Sequence, residues 1–181
     1  HNQSRRQRQM CIRDRIITPL PEYEINKGFL GRLVQTTTEV LGLEISSLCS
    51  TTLSRKDLQK GVGPDECYYI TNEELVRGKI KFDFNHDPPP DLAIEIDITS
   101  SSLDRLTIYA ALGIQEIWRF DGENLFIYCL QYGNYQEQEK SNVLPILSRS
   151  VILNFLIRRG EKGENALLRE FREWLQNPEN R

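Results

Sequence analysis

Two carboxylates stand on one short apolar segment near the middle of the chain. In the run DPPPDLAIEIDITSSS, Glu95 and Asp97 are separated by one residue, and Asp91 precedes them. Successive side chains of a β-strand point to opposite faces, so these three acids share one face of the predicted strand 91–99. Leu92 and the isoleucines occupy the other face, which makes one side of the strand acidic and the other apolar.

Acidic side chains in this arrangement suit a divalent cation. Magnesium prefers carboxylate, carbonyl and water oxygens, and a metal ion held by acids from adjacent strands can support phosphodiester hydrolysis. A nearby cationic side chain can offset charge on the phosphate. Asp65 lies beside a second predicted strand, 67–70. It would form such a site with Glu95 if the two strands are neighbours.

A solvated sheet face is the alternative interpretation of the same residues, because an acid pair on an amphipathic strand commonly faces water. The setting of the strand favours the interior. It lies between a proline-rich stretch and a predicted helix, as an interior strand of a sheet would. Because unpaired buried charges are costly, acids kept at such a place would have a partner. The residues alone leave both interpretations open.

The order of predicted elements indicates an α/β (α+β) domain with a mixed β-sheet flanked by helices. Apolar residues from Tyr23 to Leu41 recur at helical intervals, and Gly42 is expected to end that helix. Further helices are predicted over 100–113, 150–160 and 164–176. Strands are predicted over 43–50, 51–55, 67–70, 91–99, 115–121 and 124–131, with 132–140 continuing the meander. Segment 56–66 is expected to be a charged loop, and 71–79 a connection with one helical turn.

Composition narrows the class of protein. The chain has 181 residues, of which 39% are hydrophobic and 27% charged, as is typical of a soluble globular domain. No apolar run reaches the roughly 20 residues that span a bilayer, and no secretory signal is recognised, so we expect a cytoplasmic protein without membrane contact. The cysteines form no C-x-x-C pair, and we expect reduced, structural thiols.

Basic residues concentrate at the start of the chain. Residues 1–15 hold five arginines and one acid, a charge of +4, whereas the rest has 18 basic and 25 acidic residues, a charge of -7. The acidic body argues against broad coating of nucleic acid, so any such contact must be local. The run MCIRDR looks like a translated adapter sequence. We therefore expect 1–18 to be a non-native or disordered arm and 19–181 to be one domain.

Three blocks of sequence together resemble one protein family. GPDECYYI, DPPPDLAIEIDITSSS and RLTIYAALGIQEIWRFDG are similar to the bacterial Uma-two family of restriction-endonuclease-like proteins, in the PD-(D/E)XK nuclease superfamily. The similarity runs from about residue 19 to the C-terminal LREFREWL. It implies a mixed sheet with helices on either side, and an endonuclease that cleaves DNA with Mg²⁺ (or Mn²⁺). A homodimer is a further possibility for a double-strand cutter.

The resemblance also assigns roles by position. Asp65, in the step Pro64-Asp65, would be the first metal ligand, and Glu95 would be the acid of the (D/E)-x-K element. The carbonyl of Ile96 would be a further ligand. The lysine position of that element holds Asp97 instead.

In this family the positively charged side chain that replaces the lysine is expected on the following helix, four residues before a tyrosine. That place holds Arg105, before Tyr109. Arginine stays protonated, so it would stabilise negative charge or orient water but not act as a general base. Glu24, three residues before Lys27, resembles the family's N-terminal acid, although Tyr23 stands where a histidine is common.

Other functions remain compatible with these residues. One is a catalytically inactive module that keeps the nuclease fold and binds DNA or protein, and another is a small-molecule or structural protein without nucleic acid. His86 is expected to be a surface turn residue. The serines at 100–102 are expected to cap a helix. Trp118, Tyr128 and Tyr109 are expected in the core.

Overall fold

The computed structural model describes residues 20–55, 60–97 and 103–180. The helices in these ranges are α1 (Pro21–Leu41), α2 (Glu73–Val76), α3 (Leu103–Leu112), α4 (Arg149–Ile157) and α5 (Glu164–Gln176). The strands are β1 (Ser46–Ser47), β2 (Leu53–Arg55), β3 (Lys60–Val62), β4 (Glu66–Tyr69), β5 (Leu92–Ile96), β6 (Glu116–Phe120), β7 (Leu125–Gln131) and β8 (Asn134–Gln138). None of the described helices has the length and apolarity that crossing a membrane requires.

Six strands form one mixed sheet in the order β1-β4-β5-β6-β7-β8. β5 and β6 are parallel and are joined through α3, whereas the other neighbouring strands are antiparallel. β2 and β3 form a separate antiparallel pair. The predicted mixed sheet flanked by helices is therefore confirmed.

Helices cover both faces of this sheet. On one face, apolar residues of α1, α4 and α5 pack with Ile94 and Trp118 in the larger core cluster. On the other face, Tyr109 and Leu112 of α3 pack with Ala93, Ile117 and the β2–β3 pair. A strand in the middle of the sheet is consequently buried on both sides.

The first helix follows the prediction closely. Proline stands at its start, where the missing N–H is not needed, and Glu22 and Glu24 lie in the first turn, where the helix dipole favours acids. Gly42 ends the helix with φ 67°, and its N–H donates to carbonyls of the last turn. The sequence signals at both ends were sufficient to locate α1.

The central strand β5 does not have a solvated face, so that alternative interpretation of its acids was wrong. All five of its residues are buried, and so are the flanking acids. Glu95 is only 2% exposed and Asp97 7%. Asp91 accepts hydrogen bonds from the N–H groups of Ile70 and Asn72, at 2.7 and 3.0 Å. The acidic face is thus an interior face, covered by α3.

Some predicted boundaries were wrong. The expected loop 56–66 contains β3, which exists because it pairs with β2, and the first residue of β4. The strand predicted over 43–50 shrinks to two residues that bridge to β4, and the helix predicted to residue 160 ends at Ile157, before a 3-10 turn. The predicted arm 1–18, the end of strand 91–99 and the serine cap at 100–102 lie outside the described residues.

Candidate active site

The pairing of β4 with β5 brings the two sequence-predicted acids together. Glu66 is opposite Ile94 in the antiparallel register, and the N–H of Asp65 donates to the carbonyl of Ile94 at 3.1 Å. Extending this register by one residue brings Asp65 beside Glu95, just beyond the paired segment. Opposite residues of an antiparallel pair share a face. Both carboxylates lie on the face covered by α3.

Two side chains of α3 bind the Glu95 carboxylate, one at each oxygen. Arg105 donates from Nη1 to Oε2 at 2.7 Å, and the hydroxyl of Tyr109 donates to Oε1. The two donors are four residues apart, so they lie on the same side of the helix. Arg105 also donates from Nη2 to the carbonyl of Gly63 at 2.6 Å. The arginine thereby links Glu95 to the segment that leads into Asp65.

Asp65 is held through its other neighbour on β5. Its Oδ2 accepts a hydrogen bond from the backbone N–H of Ile96 at 2.7 Å. Within the described parts of the chain, no donor binds its Oδ1. Asp65 is thus oriented by the backbone of β5.

Burial changes the acidity of both carboxyl groups. Desolvation raises the pKa of Asp65 to about 6 and the pKa of Glu95 to about 7. Arg105 lowers both pKa values by its charge, whereas Asp97 raises both. Two neighbouring acids that are both shielded from water resist ionising together, and a bound cation relieves that repulsion.

The lysine position of the resembled element is part of an ion pair. Oδ2 of Asp97 accepts from Nη2 and Nε of Arg119, at 2.8 and 3.1 Å. Arg119 lies on β6 opposite Glu95, with its guanidinium carbon 5.5 Å from the ring centroid of Phe126. Asp97 therefore brings a second arginine to the same face of the sheet.

Glu24 has different neighbours from the other sequence-predicted site residues. Its Oε2 lies 2.6 Å from Nζ of Lys27. Burial is the main cause that raises the pKa of Glu66, and the charge of Glu24 adds to it. Glu66 follows Asp65 directly and so points to the opposite face, toward α1. Within the described residues, Glu24 forms no hydrogen bond or ion pair with Asp65 or Glu95. The structure groups Glu24 with Lys27 and Glu66 instead.

The donor set fits a sparsely coordinated magnesium ion. No group of three or more His, Cys, Asp or Glu side chains is placed to hold a metal among the residues described. Magnesium usually keeps several waters and takes only one or two carboxylates from the protein. Asp65 and Glu95, with the carbonyl of Ile96 as the expected additional ligand, match that requirement.

The sequence alone did not indicate several of these contacts. Tyr109 was expected in the core, and its ring is there, but its hydroxyl binds Glu95. Its spacing from Arg105 was the available signal. The Asp97–Arg119 pair depends on the parallel register of β5 and β6, for which the sequence offered no signal. His86 is an exposed turn residue, as expected, and contacts Asp83.

Comparisons with known proteins identify a family and a similar solved structure. A family model named Uma2 and described as "Putative restriction endonuclease" matches residues 4–157. A matching solved structure, described as "a putative nuclease belonging to DUF820 from Anabaena variabilis ATCC 29413", is 15% identical, with a TM-score of 0.49. That match covers 77% of this chain and 84% of the other. No curated protein matches this chain.

Proposed function

The chain belongs to the Uma2 family of restriction-endonuclease-like proteins, and on that premise we propose that it is a metal-dependent DNA endonuclease. The proposed reaction is hydrolysis of a phosphodiester bond, with Mg²⁺ or Mn²⁺ as cofactor. The site would consist of Asp65 and Glu95 as metal ligands, with the carbonyl of Ile96, and Arg105 as the cation beside them.

One observation supports this proposal above the others. Asp65, just before β4, and Glu95, on β5, lie close together; Glu95 is buried, Asp65 is half-buried, and Arg105 is bound to Glu95. Acids are seldom kept in such a place without a partner. A single arginine offsets only one of the two negative charges. A divalent cation would offset the other.

Each residue would have a distinct task. A divalent metal ion, when bound, lowers the pKa of a coordinated water and polarises the phosphate. Asp65 and Glu95 would hold that ion and fix its position against the backbone of β5. Arg105 would bind phosphate oxygens and stabilise the negative charge that develops on them. With Asp97 at the lysine position, no lysine is available there to receive a proton.

Glu24 would lie outside this core of the site. As part of the group with Lys27 and Glu66, on the α1 face of the sheet, it would act on the electrostatic field at the start of β4. Its proposed contribution to activity is smaller than that of Asp65 or Glu95.

Plasmid nicking is the test of the proposed activity. Supercoiled DNA is incubated with Mg²⁺ or Mn²⁺ and the wild-type chain, Asp65→Asn, Glu95→Gln or Arg105→Gln. Glu123→Gln, at an exposed turn residue, is the matched control. We expect each of the three site variants to nick DNA at least about 10-fold more slowly than the wild type. Even mutation of a residue that only supports a metal ligand commonly costs about 10–100-fold. The control should nick at the wild-type rate.

Equal nicking by all variants would indicate a contaminating nuclease and contradict the proposal. A wild-type protein that binds DNA with a steep salt dependence, but never nicks it, would favour the catalytically inactive module. Asp97 in the lysine position is the specific observation behind that second candidate. A protein that neither binds nor nicks DNA would favour a role without nucleic acid.

A further inference from the structure

We propose that Tyr109 is a positioning residue of the candidate site, which fixes the Glu95 carboxylate so that Oε2 is presented to the cation. This inference rests on the proposed function. It concerns a residue whose ring belongs to the core but whose hydroxyl belongs to the site.

Burial makes the contact between Tyr109 and Glu95 a lasting one. Tyr109 is fully buried, and Glu95 is only 2% exposed. The ring packs in the cluster that contains Ala93, Leu112 and Ile117, between α3 and the sheet. Water has little access to compete for the hydroxyl, and an unsatisfied buried oxygen would be costly. Oε1 of Glu95 is therefore committed to Tyr109.

Arg105, the second donor to Glu95, is accessible to solvent, unlike Tyr109. The side chain of Arg105, which binds Oε2, is 38% exposed. Its long stem allows the guanidinium to move toward solvent or toward a phosphate while α3 stays in place. Oε2 is consequently the oxygen that a cation can take over, and Tyr109 keeps the carboxylate oriented while Arg105 moves.

A purely structural role for Tyr109 makes a different prediction. In that case the ring would matter and the hydroxyl would not, so Tyr109→Phe would leave cation binding unchanged. Tyr135 is a matched control, because its hydroxyl donates to the carbonyl of Ile114 at 2.7 Å on the same face of the sheet. Tyr135→Phe also removes one hydroxyl bond, a half-buried one, but that bond does not involve the acids.

The experiment measures Mn²⁺ binding to the full chain from the electron paramagnetic resonance signal of free Mn²⁺. We expect Tyr109→Phe to weaken Mn²⁺ affinity by about 10-fold, the lower end of the effect of outer-shell partners. Tyr135→Phe should bind Mn²⁺ as the wild type does. Urea unfolding of both variants checks that the fold is retained.

Unchanged affinity in Tyr109→Phe would overturn the inference while leaving the cation site intact. Equal weakening in both phenylalanine variants would also overturn it, because the effect would then be general. A wild-type chain that binds no Mn²⁺ would overturn the proposed function itself. If Tyr109→Phe does not fold, 3-fluorotyrosine is placed at 109 or 135 instead. Its fluorine resonance should shift with Mg²⁺ only at 109, and the absence of a shift there would refute the inference.

Discussion

The surroundings of Glu95 in the folded chain act on its charge in opposite directions. Its burial disfavours a charge, and its place beside Asp65 adds repulsion, so its pKa is raised to about 7. Bonds from Tyr109 and Arg105 favour the charged form but do not compensate fully. Such a residue is more useful as a ligand than as a contributor to stability.

The raised pKa of Glu95 predicts that the effect of Glu95→Gln on stability depends on pH. The pKa of Glu95 rises from 4.5 to about 7 on folding, so the folded state binds more protons than the unfolded state in that range. Stability is therefore lost as the pH rises between these values. Without divalent cations, we expect Glu95→Gln to gain roughly 1–3 kcal/mol relative to wild type between pH 5 and pH 8.

Urea unfolding at both pH values in EDTA measures this difference. Glu123→Gln, at an exposed position, should show no such gain. A Glu95→Gln variant that loses stability relative to wild type as the pH rises would contradict the assignment of a raised pKa to Glu95.

At the scale of elements, three neighbours form the site. β4 follows directly after Asp65, β5 supplies Glu95 near its end, and α3 supplies Arg105 and Tyr109. The antiparallel register between β4 and β5 determines that the two acids meet. A shift of one residue would move one acid to the other face of the sheet.

Another buried acid has a task that differs from that of Glu95. Glu116 of β6 is completely buried, and it accepts hydrogen bonds from Ser141, the N–H of Asn142 and the indole of Trp118, each at 2.6 Å. It also accepts from the N–H of Val143 at 3.1 Å. These bonds attach the connection between β8 and α4 to the sheet.

We expect Glu116→Ala to destabilise the chain by about 3 kcal/mol or more, because several buried donors lose their acceptor. Urea unfolding measures the change, and Glu123→Ala is the exposed control. Mn²⁺ affinity of the folded variant should stay at the wild-type value, since Glu116 faces the α1, α4 and α5 side with Trp118. A loss of less than about 1 kcal/mol would show that this connection does not depend on Glu116.

Local signals predicted most of the elements but few of the contacts. Helix α1 has a clear start and end, and the turn at 121–124 joins β6 and β7 as expected. β1 and β3 were poorly predicted, because a two-residue bridge and a glycine-containing strand exist only through their partners. The contacts of Glu95 were beyond prediction for the same reason, since the register of neighbouring elements determines them. The residue chemistry, and then the family resemblance, singled out Asp65 and Glu95 without any knowledge of their geometry.

At the scale of the whole molecule, charge is distributed unevenly. Residues 1–15 carry +4, and the remainder carries -7. Cleavage of DNA by so acidic a body requires local contacts, of which Arg105 would be one. The family match begins at residue 4, inside the segment 1–18 that was predicted to be a separate arm. The separate status of that segment, a homodimer and a cytoplasmic location all stay predictions.

Anomalous scattering from crystals grown with Mn²⁺ tests the cation site most directly. The proposed function predicts an anomalous peak between Asp65 and Glu95, within about 2.5 Å of a carboxylate oxygen of each. The same crystals of Glu95→Gln should lack that peak. A wild-type crystal with no manganese between the two acids, or with manganese bound only elsewhere, would contradict the proposed metal-dependent nuclease.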